Sequence, residues 1–166
     1  MKMKALVAST LMVTAVRCLA GDVPDPVLTP GAINPDLTQR NIRSTVCSRG
    51  WTKTVRPPAF YTNQLKKIQI RQYGYADTSP RDYEEDHLIP LSLGGHPTDP
   101  RNLWPEPRKS VWDADRKDEL EFALYMGVCH GDVSLEEARR AFATNWIDAY
   151  KRYDSLLGRY RYGAAD

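Results

Sequence analysis

The sequence predicts an α+β fold, a mostly helical single domain with one small antiparallel β-hairpin, and three observations point to it. Two segments in the C-terminal half open on capping-box patterns, Ser110 with Asp113 and Ser134 with Glu137, and continue with apolar residues at helical spacing. One short run, residues 83–93, alternates loosely between apolar and polar side chains, with Pro90 inside it and Gly94-Gly95 after it, which suits two short strands or a bent hairpin. The chain has 166 residues, enough for one core, and no internal repeat or low-complexity tract divides it.

Taken in order, residues 1–20 combine Lys2 and Lys4, an apolar stretch and a small-residue ending at Leu19-Ala20-Gly21. This is the pattern of a secretory signal peptide cut after Ala20. The apolar stretch is interrupted by Arg17 and falls short of the roughly 20 residues that span a bilayer. A secreted or periplasmic protein with no membrane attachment after cleavage is therefore expected. Of the three cysteines, Cys18 leaves with the leader, and Cys47 and Cys129 remain to form a disulfide in an oxidising compartment. Removing Lys2, Lys4 and Arg17 also takes the formal charge from +2 to −1, so bulk charge does not announce a nucleic-acid binder.

Residues 21–46, rich in Pro and Gly, predict an irregular extended arm. The main domain spans 47–155, with a turn at Pro57-Pro58 and a helix from about Thr62 to Gln72 ended by Gly74. After the hairpin run, Pro97, Pro100, Pro105 and Pro107 predict a loop over 96–107. A helix follows from about Val111 to Val128 and stops at Gly131. Another starts after Ser134 and carries Ala138, Ala141, Phe142, Trp146 and Tyr150 on its apolar positions. Residues 156–166 are read as a frayed tail.

The chemistry concentrates in Asp86 and His87. Neighbours on a strand point to opposite faces, so without a bulge they cannot serve one purpose from one side. A phosphodiester hydrolase needs two things from two directions: a carboxylate to hold a cation against phosphate oxygens, and a neutral imidazole to take a proton from water. Asp suits a hard cation and His titrates near neutrality. Asn102 is the type of side chain that pins a loop through backbone hydrogen bonds.

The strings EEDHLIPLSLGG and RNLWP, in that order, resemble the HNH, or ββα-metal, endonuclease motif in its exported form, over about residues 83–128. The resemblance implies a hairpin followed by a helix, with Asp86 as metal ligand, His87 as general base and Asn102 supporting the histidine. It further implies a divalent cation, Mg2+ first with Mn2+ and Zn2+ open, and hydrolysis of DNA, with RNA as an open second substrate. The chain departs from the family in the helix, where SVWDADRKDELE supplies neither His nor Asn as a further ligand. Asp118 or Asp115 is the expected substitute, with Lys117 as a phosphate-binding alternative. Arg101, Arg108 and Lys109 flank the motif and are candidates for the phosphate backbone; Arg56, Lys66, Lys67, Arg71 and Arg116 are further cations with solvation as their default role. No base-reading helix is evident, so little sequence specificity is expected. A monomer is expected, and nothing names an inhibitor. The alternative is a non-catalytic secreted module on a degenerate scaffold of the same type, which the missing ligand favours.

Overall fold

The computed structural model describes residues 21–161, so the expected leader lies outside the described residues, as do residues 162–166; the tail expected to fray from 156 is instead helical through Arg159, because Leu156 is buried in the core and Leu157 and Tyr160 pack against it. The helices are α1 (Trp51–Val55), α2 (Ala59–Gln72), α3 (Ala114–His130), α4 (Leu135–Arg152) and α5 (Asp154–Arg159), and the two strands are β1 (Tyr83–His87) and β2 (Leu103–Pro107). The α+β expectation holds. None of the described helices is long and apolar enough to cross a membrane.

The hairpin corrects two expectations. Only Tyr83–His87 of the run 83–93 is strand, and Leu91–Leu93 is a 3-10 turn. The partner strand is Leu103–Pro107, in the stretch whose prolines predicted a loop. Register explains how β2 tolerates them. The bonds from Leu88 N to Asn102 O (2.8 Å) and from Arg108 N to Asp82 O (3.0 Å) lie just outside the pairs His87–Leu103 and Tyr83–Pro107. Those pairs are therefore non-hydrogen-bonded, and by alternation so is Glu85–Pro105. Both strand prolines thus fall where the backbone nitrogen faces away from the partner, and no ladder bond is lost.

Alternation then assigns the faces. Tyr83 packs with Ile70 of α2 and with Tyr75, so the odd-numbered side of β1 faces α2. Asp86 reaches Lys117 of α3, so Glu84, Asp86, Trp104 and Glu106 share the side toward α3.

Helix boundaries shift for local reasons. Helix α2 begins at Ala59, directly after the Pro57-Pro58 turn. Helix α3 is capped by Asp113, whose carboxylate accepts from Arg116 N (3.3 Å), and not by Ser110, which lies in the preceding turn. Asp is a strong N-cap and its charge complements the helix dipole. Gly131, at φ 88°, ends α3 in the left-handed conformation that favours glycine. Helix α4 starts as expected, with Ser134 Oγ accepting from Glu137 N at 3.2 Å. It then kinks at Asn145, whose Oδ1 accepts from Ile147 N and Asp148 N and so caps the second half afresh.

Leu120, Ala123, Leu124 and Val128 of α3 and Leu135, Ala138, Phe142 and Trp146 of α4 form the core with Ile89 and Leu93 from the loop after β1. The N-terminal arm lies across this assembly: Trp146 Nε1 donates to Asp22 O (3.0 Å) and Thr29 Oγ1 to Leu103 O (3.1 Å). The Cys47–Cys129 disulfide is present, with Cα atoms 5.6 Å apart and a sequence separation of 82. It ties the segment before α1 to the end of α3. Cys47→Ser/Cys129→Ser should therefore lose about 3–4 kcal/mol of unfolding free energy, read from urea midpoints against the oxidised parent.

Candidate functional site

Asn102 is fully buried and works as a clamp on the loop after β1. Its Oδ1 accepts from Ile89 N (2.9 Å), and its Nδ2 donates to Ile89 O (3.0 Å) and His96 O (3.2 Å). Gly95 lies so close to Ile89 O and Asn102 Nδ2 that a β-carbon would collide with both, and Gly94 has φ 75°. The Gly-Gly pair is thus used once for conformation and once for close approach.

His87 is buried at the end of β1. Its Nε2 lies 2.9 Å from Pro97 O. A carbonyl oxygen can only accept, so Nε2 carries the hydrogen and Nδ1 keeps its lone pair. Burial holds the imidazole below its ordinary value, which makes it neutral at pH 7.

Asp86, on the other face, binds the ammonium of Lys117, which also donates to His87 O at 2.9 Å. Lys117 has no solvent exposure. Burial alone would discharge it, but Asp86, Glu106 and Glu121 hold its pKa above the ordinary lysine value. For Asp86 burial acts upward, and the Lys117 ammonium together with His87 and its backbone N–H more than offsets it, so the carboxyl stays ionised. Glu106 is fully buried; burial, and the hydrogen bond its protonated carboxyl gives to the neighbouring Asp86 carboxylate, raise its pKa well above the usual range.

A cleft of about 360 Å³ opens beside Asp86. Glu84, Asp118 and Glu121 add carboxylates to its wall, Arg56 a cation, and Trp51 and Tyr125 aromatic surface. Ser92 Oγ donates to Glu121 Oε1 at 2.7 Å. Partial desolvation, with Asp86 and Glu121 nearby, pushes the Asp118 carboxyl up to about 7.

The expected site residues are therefore only partly gathered. Asp86 and Asp118 share the cleft, whereas Asp115 is exposed and outside its lining. His87 lies at the same strand end but does not line the cleft. Lys117 is sealed beneath Asp86. Arg101, Arg108 and Lys109 are exposed, with Arg101 paired to Asp99 (2.6 Å) and Arg108 to Glu84 (2.8 Å). Among the described residues, no three His, Cys, Asp or Glu side chains converge where one ion would touch them all. With Asp86 already engaged by Lys117, the donor set does not fit the dication that the resemblance implies.

Two features did not emerge from the sequence. Lys66, Lys67 and Arg108, named there as separate cations, gather with Arg81, which was not named, around one depression of about 370 Å³ beside the hairpin. Glu85, on the α2 face, has both oxygens buried without partners, and burial pushes its carboxyl up to about 8, against the pull of Lys66. A group raised from 4.5 to about 8 contributes stability that is complete below about pH 4.5 and is lost as pH rises through about 8. The melting temperature should therefore decline between those limits, and Glu85→Gln should flatten that part of the profile.

Comparison with protein-family models, with curated proteins and with solved structures returns no match for this chain.

Proposed function

We propose that the protein hydrolyses phosphodiester bonds in nucleic acid, DNA first, with little sequence preference and with His87 as the base. The observation that carries the reading is the hairpin-plus-helix unit in which Asn102 clamps the loop that holds His87 by its Nε2, leaving a neutral Nδ1 to accept a proton. In this reading water loses its proton to Nδ1 as its oxygen attacks phosphorus, the bond to the sugar oxygen breaks, and that oxygen takes a proton from solvent as it leaves. Arg56, on the cleft wall yet near enough to His87 to help lower its pKa, is the cation available to the phosphate charge. The cations around the second depression would hold the polyanion in a sequence-independent, salt-sensitive way. The disulfide is consistent with work in an oxidising compartment.

A second reading, a non-catalytic binding module, is favoured by the Asp86–Lys117 pair, because it engages the carboxylate that the resemblance assigns to metal. The test is nicking of supercoiled plasmid by the oxidised protein in Mg2+, Mn2+, Zn2+ and chelator. Nicking that disappears in His87→Ala supports the hydrolase. No nicking by folded protein in any of the four conditions leaves the binding module as the reading.

A further inference from the structure

The cations and acids of this chain are segregated along it. All 21 Asp and Glu lie outside residues 37–76, which carry eight of the Lys and Arg. Among the described residues, none of those eight takes part in an ion pair. Helix α2 lies within this stretch and contains Lys66, Lys67 and Arg71 with no acid. Its solvent face repeats at helical spacing, and Phe60, Gln64, Lys67, Ile68 and Arg71 are all exposed. Phe60 is 76% exposed, so it contributes little burial to the fold and its ring is free for a partner.

The surroundings of α2 say what that partner is. On one flank, Lys66 and Lys67 line the depression that Arg81 and Arg108 complete, and no carboxylate lines it. At the N-terminal end, Tyr61, next to Phe60, donates its hydroxyl to Thr98 O, and the adjoining Pro97 O is the group that holds His87. A polyanion lying along α2 therefore meets cations and reaches the loop at His87, whereas the cleft beside Asp86 presents it with four carboxylates. An exposed ring among cations suits the face of an unpaired base, and a duplex keeps its base faces covered. A lipid surface would ask for a continuous apolar face, and Gln64 and Lys67 interrupt the path from Phe60 to Ile68. We propose that the exposed face of α2 binds single-stranded nucleic acid, with a base stacked on Phe60 and the backbone phosphates held by Lys67, Arg71 and the cations of the adjoining depression. The inference rests on the reading of nucleic acid as the substrate and names unpaired strand as the form that is bound.

The experiment is fluorescence anisotropy with labelled oligothymidylate and with a mixed-sequence DNA duplex of the same length, in chelator and on a His87→Gln background so that cleavage does not contribute. Oligothymidylate should bind more tightly than the duplex, and more weakly as salt rises. Phe60→Ala should weaken single-strand binding about 5–150-fold, the loss of one stacked base. It should leave duplex binding unchanged and melt with its parent, and Phe60→Trp should bind the single strand as the parent does. Lys67→Gln/Arg71→Gln should weaken binding to both and lower the salt slope on the single strand by about 1.4, the share of two phosphates. The proposal is overturned if Phe60→Ala binds oligothymidylate as its parent does, or if the duplex is bound as tightly and loses as much. It is overturned equally if oligothymidylate is not bound, with capture by phosphatidylglycerol vesicles then marking α2 as a lipid-facing helix. Plasmid nicking by a wild type whose variants give either result leaves the hydrolase standing and removes only this inference. Phe60-dependent strand binding by a protein that nicks nothing supports this inference and removes the hydrolase.

Discussion

Plasmid nicking should fall about 10²–10⁴-fold in His87→Ala, the range that removal of a general base produces. The expectation rests on the tautomer: Pro97 O fixes the hydrogen on Nε2, and the lone pair left on Nδ1 is the proton acceptor. Two controls separate chemistry from structure. His87→Gln retains an N–H for Pro97 O but no base, so it should be as inactive as His87→Ala while melting closer to wild type. The pH profile supplies the second. Because burial holds the imidazole below 6.5, the rate should rise from acid and level off with its inflection below that value. A merely structural histidine predicts neither behaviour. Equal nicking by wild type and His87→Gln would remove His87 from the reaction and with it the proposed mechanism.

How far the sequence could be read depended on whether a feature is local. Ser134 caps α4 because its hydroxyl needs only the N–H three residues on. Asn102 as a loop clamp follows from the habits of asparagine, and the structure supplies its partners in Ile89 and His96. Strand β2 was hidden because Pro105 and Pro107 break regular structure by default. Whether a proline costs a ladder bond is decided by the register of the opposite strand, which no local pattern contains. The preference for Asp113 over Ser110 and the renewed cap at Asn145 are competitions between adjacent candidates that packing decides.

Lys117 is the instructive failure, because its signal was present. It lies three residues before Leu120 and seven before Leu124, on the stripe that continues to Val128, so helical spacing alone places it in the core. Its charge led to the opposite expectation, a solvated or phosphate-facing lysine. A lysine on an apolar stripe must find an anion inside the fold. That anion is Asp86 on the facing hairpin, 31 residues away in sequence.

That burial sets the largest expected effect on stability. Lys117→Met should cost about 3–5 kcal/mol in metal-free buffer, as removal of one partner from a buried ion pair does. The cost arises less from the lost attraction than from leaving the Asp86 carboxylate beside other acids without a counter-charge. Two consequences distinguish this from simple loss of packing. Lys117→Met/Asp86→Asn should be more stable than Lys117→Met, because the second substitution removes the uncompensated charge, and the double-mutant cycle measures the coupling. The pH dependence should also change sign at this site. In wild type the Asp86 pKa is lowered, so its contribution is present above 3.8 and is lost as pH falls through the folded value. Without Lys117 the same burial raises that pKa, and the variant should gain stability relative to wild type as the solution is acidified. Urea unfolding of the four proteins across the acid range measures both, and a Lys117→Met deficit that is constant with pH and unrelieved by Asp86→Asn would assign the loss to packing against Phe142 instead.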